Sequence, residues 1–205
     1  VVQFALGRDG STMITQILKI LCRDVEKMHT PPTGKCKTVV TFRNPTDCFF
    51  SHFRTAYGLE RFKLVNVRDK PFRQLKKHMK EFKNKFKVFR LFCESADRSI
   101  LRLKYEKFYN DYDYIFDKFE KFFSIEIDDK LREKIEQATS IEKNKKIQNN
   151  FNGFSEYDQE SGIHGTHILN PTGYDNQVSA NILCWATEEL DNVIEYWKLF
   201  ELKTK

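Results

Sequence analysis

The sequence predicts an α/β fold, with a central, mainly parallel sheet flanked by helices, built as one domain over residues 1–205. Two observations predict it. Short apolar runs of strand character alternate with longer runs of helical period, the pattern of a parallel sheet with crossover helices. The first strand also passes directly into a glycine loop and a helix, an order that builds an anion cradle.

The elements follow in order. Strands are predicted near 2–6, 25–28, 38–42 and 99–104, each a short apolar or β-branched run. Helices are predicted near 12–22, 46–56, 71–93, 111–123, 128–138 and 179–198. In the first, Ile14, Ile17, Leu18 and Leu21 fall at helical spacing. In the third, Phe72, Leu75, Met79, Phe82, Phe86 and Phe89 recur at steps of three and four, with Lys76, Lys77, Lys80, Lys83, Lys85 and Lys87 over the remainder. In the last, Val178, Ile182, Trp185, Leu190, Val193, Ile194 and Trp197 form a closing apolar stripe, and Glu188 and Glu189 read as solvated. Residues 57–70 and 143–177 read as long irregular connections, where folds of this class carry their specific function.

Three segments carry chemistry. After the first strand comes Gly7-Arg8-Asp9-Gly10-Ser11-Thr12. Its glycines allow close backbone approach, its amides and the following helix N-terminus point at one place, and Ser11 and Thr12 add hydroxyls. It is not a Walker A loop, because the Gly-Lys-Ser/Thr ending is missing. The third strand ends in Arg43-Asn44-Pro45, and Ser51 follows two helical turns on. The Arg43 fork suits a phosphate, and the Ser51 hydroxyl can reach the same anion. Pro45 suits the first helical turn. Between these lies Lys27-Met28-His29-Thr30-Pro31. An acceptor hydroxyl is a poor nucleophile until a base takes its proton, and an imidazole suits that task.

These segments resemble those of sulfotransferases that use 3′-phosphoadenosine 5′-phosphosulfate (PAPS). Arg43 to Ser51 resembles the family's 3′-phosphate motif, an Arg followed by Asn-Pro and a Ser eight positions on. Gly7 to Thr12 is similar to the 5′-phosphosulfate loop, commonly Pro-Lys/Arg-Ser-Gly-Thr-Thr. The departures are Gly7 for Pro and Asp9 for Ser. A carboxylate near a sulfated anhydride repels it, so Asp9 is expected to pair with Arg8 or to face the acceptor. Met13 stands where many members carry an aromatic that stacks on adenine. Lys27 to Pro31 resembles the Lys-Thr-His-Leu-Pro segment that supplies the catalytic histidine.

Weaker likenesses continue in the family order. Tyr105, in a strand ending Tyr-Glu, resembles a tyrosine beside the adenine. Thr139-Ser140-Ile141 resembles a Thr-Ser-Phe segment that packs on the purine. Gly162 to His167 falls where the family closes a loop over the 3′-phosphate. There His164 and Gly165 replace the usual Arg-Lys-Gly, and His167 is a second base candidate or an acceptor contact. The resemblance covers about residues 2–165. It implies a P-loop-kinase-like three-layer fold and transfer of a sulfonate group from PAPS to a hydroxyl or amine, leaving adenosine 3′,5′-bisphosphate (PAP). Arg8 and Lys27 would neutralise the leaving phosphate, His29 would be the base, and no metal is expected. The acceptor is a small molecule or carbohydrate.

Composition bounds the alternatives. Hydrophobic residues make up 40% of the chain, and 35 Lys and Arg against 29 Asp and Glu give a net charge of +6. That balance suits an anionic nucleotide, but equally a nucleic acid or an anionic surface. One rival reading is therefore a non-catalytic binder of polyanion or nucleic acid using the basic face of 71–93. That face reads more simply as the solvated side of a packed helix, and no nucleic-acid partner is expected. The other rival is a P-loop-type kinase, which the missing Walker lysine opposes. The five cysteines show no metal spacing and read as reduced thiols, hence a cytoplasmic setting. No apolar span of about 18 residues appears. The chain opens almost inside its first strand and without Met, which leaves room for an upstream anchor.

Overall fold

The computed structural model describes residues 1–57, 70–95, 99–153, 155–165 and 178–202. Its sheet holds β1 (Val2–Ala5), β2 (Glu26–Met28), β3 (Thr38–Phe42) and β4 (Ile100–Lys104), in the order β2-β1-β3-β4 and all parallel. The register sets Val2 opposite Glu26 on one side and opposite Thr38 on the other. The chain therefore leaves β1 for a strand on one side and next for a strand on the other. In a parallel sheet that reversal opens a crevice at the carboxyl ends of the strands.

Helices cover both faces, which makes the three layers. They are α1 (Ser11–Leu21), α2 (Pro45–Tyr57), α3 (Lys70–Cys93), α4 (Tyr105–Phe108), α5 (Tyr112–Phe123), α6 (Asp129–Thr139), α7 (Ile141–Gln148), α8 (Ala180–Glu189) and α9 (Asp191–Lys198). Strand alternation feeds two cores. Phe4, Val40 and Phe42 pack with α2, α3, α8 and α9, while Val39, Leu101 and Leu103 pack with α1, α4, α5 and α6. The first core is built of rings: Phe42 meets Phe86 at 5.7 Å, Phe89 at 5.4 Å and Phe200 at 5.3 Å. All six apolar residues expected on the α3 stripe are buried.

Side-chain caps start four of the described helices; at α2 the Asn44 Oδ1 accepts from the Thr46 amide at 3.0 Å and the Asp47 amide at 3.4 Å. Asp111 accepts from the Tyr114 amide at 2.8 Å, Asp128 from Leu131 at 2.8 Å, and Ser140 from Lys143 at 3.2 Å. Two expectations need correction. Residues 179–198 do not form one helix, because Leu190 adopts φ −100° and ψ 6° and divides α8 from α9. The apolar stripe runs on across the break, since Ile182, Ala186, Leu190, Val193 and Tyr196 are all buried. The region from 143 is also not wholly irregular: α7 occupies its start, held by the Ser140 cap and the buried Asn144. No described helix is long and apolar enough to cross a membrane.

Candidate functional site

Each strand exit contributes to one end of the sheet. β1 leads to the Gly7–Gly10 loop, β2 to His29, β3 to Arg43 and β4 to Tyr105. The loop bends through three left-handed residues, Gly7 at φ 95°, Arg8 at 62° and Gly10 at 80°. A proline cannot adopt the Gly7 angle, so glycine at this position follows from the backbone path. A Cβ on Gly7 would stand 3.3 Å from the His52 ring and 3.6 Å from His29. Gly10 caps α1 without any side-chain bond, and the first turn holds no acidic residue. Gly10 thus leaves the N-terminal end of α1 with no cap of its own, the arrangement that favours an anion.

A cavity of about 510 Å³ opens beside the loop. Arg8, Lys27 and Lys85 bring positive charge to its wall, and His29, His52 and His164 bring imidazoles. Lys27 Nζ donates to Thr12 Oγ1 at 2.8 Å, which fixes the cation over the start of α1. Burial lowers the Lys27 ammonium to about 8, with Asp9 acting in the opposite direction. His29 Nδ1 lies 3.1 Å from the Ala5 carbonyl. A carbonyl only accepts, so Nδ1 carries the proton and Nε2 keeps its lone pair. By the same logic His52 Nε2 donates to the Leu6 carbonyl at 3.0 Å. Burial lowers His52 to about 4, so it is neutral at pH 7.

The two anion motifs meet. Arg8 Nε donates to Ser51 Oγ at 3.1 Å, across 43 residues of sequence. Arg43 is buried, lies 4.6 Å over the Tyr105 ring and faces Asp47 at 3.5 Å. Its Nε is buried without a hydrogen-bond partner. Tyr105 in turn presses on Gly10. It opens α4, whereas a strand end was expected. Burial raises its phenol well above the usual range.

Other expected residues stand further off. Met13 packs at the edge of the α1 core. Thr139 donates to Ile135, bonds Tyr112 and lies under the Gln16–Asn144 pair; Ser140 caps α7, and Ile141 is half-buried. None of these four lines the cavity. His164 does, with its ring 4.9 Å from Tyr157. Gly165 lies against the Gly153 backbone, where a Cβ would come within 2.5 Å of the carbonyl oxygen. His167 falls outside the described residues.

Asp9 departs from both expectations for it. It neither pairs with Arg8 nor lines the cavity. It is fully buried; neither carboxyl oxygen makes a well-formed hydrogen bond, and weak contacts from Thr41 and its own backbone amide only partly offset that burial. Burial raises its carboxyl above the usual range, and the nearby His29 and Lys27 side chains act in the opposite direction. His52 went unread in the sequence, although it stands directly after Ser51. Its signal was position on α2, one step around from the motif serine. Lys85 and Val88 of α3 also reach the wall, beyond any motif.

No protein-family model matches the chain, and no curated protein does. Among solved structures it is similar to mouse sulfotransferase SULT7A1 complexed with PAP. That likeness has 12% identity and a TM-score of 0.62, and covers 100% of this chain and 88% of the other. At this identity the likeness concerns the fold. The four-stranded parallel sheet flanked by helices is consistent with the P-loop-like fold of that sulfotransferase.

Proposed function

We propose that the protein is a PAPS-dependent sulfotransferase acting on a hydroxyl or amine of a small-molecule or carbohydrate acceptor. One observation carries the reading: the Arg8–Ser51 bond joins the loop after β1 to the motif after β3, beside a cavity that also holds His29 and Lys27. The N-terminal amides of α1, Gly7 and Gly10 receive the 5′-phosphosulfate. Arg43 and Ser51 receive the 3′-phosphate, and Tyr105 flanks the base. The unpaired Nε of Arg43 is a buried donor that such a phosphate would satisfy. The SULT7A1 likeness supports PAPS as donor, because that protein was solved with PAP.

The proposed roles follow from charge and tautomer. His29 Nε2, with its lone pair free, takes the acceptor proton. Arg8 and Lys27 sit where charge develops on the leaving phosphate, in a site whose donors are already oriented. Among the described residues no group of three or more His, Cys, Asp or Glu could hold a metal ion. Titration calorimetry with PAP, AMP and ATP tests the donor. PAP is expected to bind at least tenfold more tightly than AMP, a difference of about 1.4 kcal/mol. Equal affinities would remove the 3′-phosphate site from the reading.

A further inference from the structure

Of the Lys and Arg side chains on the cavity wall, the donor reading leaves Lys85 unused. Arg8 bonds Ser51 at 3.1 Å and Lys27 bonds Thr12 at 2.8 Å, so both stand by the loop and the start of α1. Lys85 arrives from α3, which packs on the other face of the sheet from α1. Its neighbours on α3 have acidic partners: Lys83 pairs with Glu189 at 2.9 Å and Arg90 with Glu94 at 3.0 Å. Lys85 has no such partner among the described residues, and no described Asp or Glu lines the cavity. Its charge opposes protonation of His52, the α2 residue on the same wall. The wall around it is apolar. Phe4, Leu6 and Pro31 contribute, with Val88, one turn beyond Lys85, which keeps 48% of its surface exposed. An unshared ammonium beside an apolar wall suits a small ligand with an apolar body and one anionic end, because such pockets are mostly apolar and fix orientation with a few polar groups.

We propose that Lys85 determines acceptor specificity, selecting a small alcohol, phenol or amine with a compact apolar body and one carboxylate. This deepens the sulfotransferase reading above and rests on it. A cavity of about 510 Å³ encloses a small molecule rather than a polymer segment. An acid whose body lies on Leu6 and Val88, with its carboxylate at Lys85, presents its far end to His29, which shares the cavity. One unshared cation matches one negative charge. In open water such a pair gains little. Here the ligand's own body excludes water from one side of the pair, and the attraction grows as the effective dielectric falls. A neutral acceptor of the same shape leaves the ammonium without a counter-charge.

Titration calorimetry on the whole chain at neutral pH tests this in two arms. In the first, PAP is titrated into the protein. In the second, para-hydroxyphenylpropionate and its neutral amide are each titrated into PAP-saturated protein. Wild type is expected to bind the acid at least about fivefold more tightly than the amide. Lys85→Gln is expected to bind the two alike, Lys85→Glu to prefer the amide, and Lys85→Arg to keep the preference for the acid. The proposal is overturned if wild type shows no preference for the acid, including by binding neither probe. It is equally overturned if the preference survives in Lys85→Gln, which would assign it to Arg8 or Lys27. A loss of PAP affinity of about fivefold or more in Lys85→Gln would give Lys85 to the donor and also overturn it. In each of these outcomes PAP still binds wild type and the donor reading stands. Absence of PAP binding to wild type would overturn the donor reading and this inference together.

Discussion

Replacing Gly10 by alanine tests the packing that shapes the loop. The new Cβ would stand 2.6 Å from Tyr105 Cδ2, and 2.7 Å and 2.8 Å from Phe108 Cζ and Cε2. Neither ring can retreat freely. Phe108 is fully buried in the α1-side core, and Tyr105 is held between Phe108, at 5.5 Å, and the Arg43 guanidinium, at 4.6 Å. The backbone adds a second cost, because φ is +80°. An L-residue in the left-handed region costs roughly 1–2 kcal/mol, and forced overpacking typically costs about 1–3 kcal/mol. Gly10→Ala should therefore destabilise by about 2–5 kcal/mol in sum. Gly34 supplies the control: its φ is +84°, yet a Cβ there meets nothing within 4 Å. Gly34→Ala carries the backbone cost alone, about 1–2 kcal/mol. Urea unfolding of both variants, compared at equal m-value, separates the two contributions. Equal destabilisation by the two alanines, or a Gly10→Ala effect below about 0.5 kcal/mol, which is the range of neutral surface changes, would refute the packing argument.

Arg43→Ala should weaken PAP binding by about 2 kcal/mol or more, since it removes charge-assisted bonds to the 3′-phosphate; unchanged affinity by calorimetry would move that phosphate elsewhere. His29→Ala should cut turnover by roughly 10²–10⁴ with PAP affinity near wild type, once labelled PAPS has identified an acceptor among sugars, phenols, amines and peptides. Near-normal turnover would shift the base to His167 or Asp9. His52 is lowered from 6.5 to about 4 in the fold, so between those values the unfolded chain binds more protons, and stability is lost as pH falls through that window, by up to about 3 kcal/mol. His52→Gln should flatten that fall in pH-dependent denaturation, and a fall of unchanged steepness would count against the assignment. Changing Lys76 and Lys80 to Gln should leave PAP binding nearly intact and reveal only weak, steeply salt-dependent nucleic-acid binding; tight sequence-selective binding at physiological salt would favour the polyanion reading instead.

Much of the fold was legible because burial and period coincide. All four strands appear at the expected places, each shorter or longer by a residue at most. The Phe-rich period of α3 reported its buried face directly, since a six-residue apolar stripe against lysines admits one packing. The break at Leu190 was invisible for the opposite reason. No glycine or proline marks it, and the apolar steps from Ile182 to Tyr196 keep helical spacing through the bend. α4 and α7 were missed because they are short and polar. The four-residue α4 is held by Phe108 in the core, and α7 by one serine cap and one buried asparagine. Those are tertiary supports, and propensity does not report them.

The site divides along the same physical line. Residues whose chemistry depends on backbone path were readable: a glycine loop after a strand, and an arginine after a strand ahead of Pro45, stand at the sheet's carboxyl edge because parallel topology puts strand exits there. The Arg8–Ser51 bond then needed only that the exits of β1 and β3 be neighbours, and the strand order makes them so. Asp9 and His52 were not readable, because their character is set by burial. A sequence presents Asp9 as a charge that repels a phosphosulfate. In the fold it is fully buried and out of the cavity wall, and that burial raises its carboxyl above the usual range. The motif's misfit residue thus presents no carboxylate to the cavity, which removes the repulsion that its place in the sequence suggests.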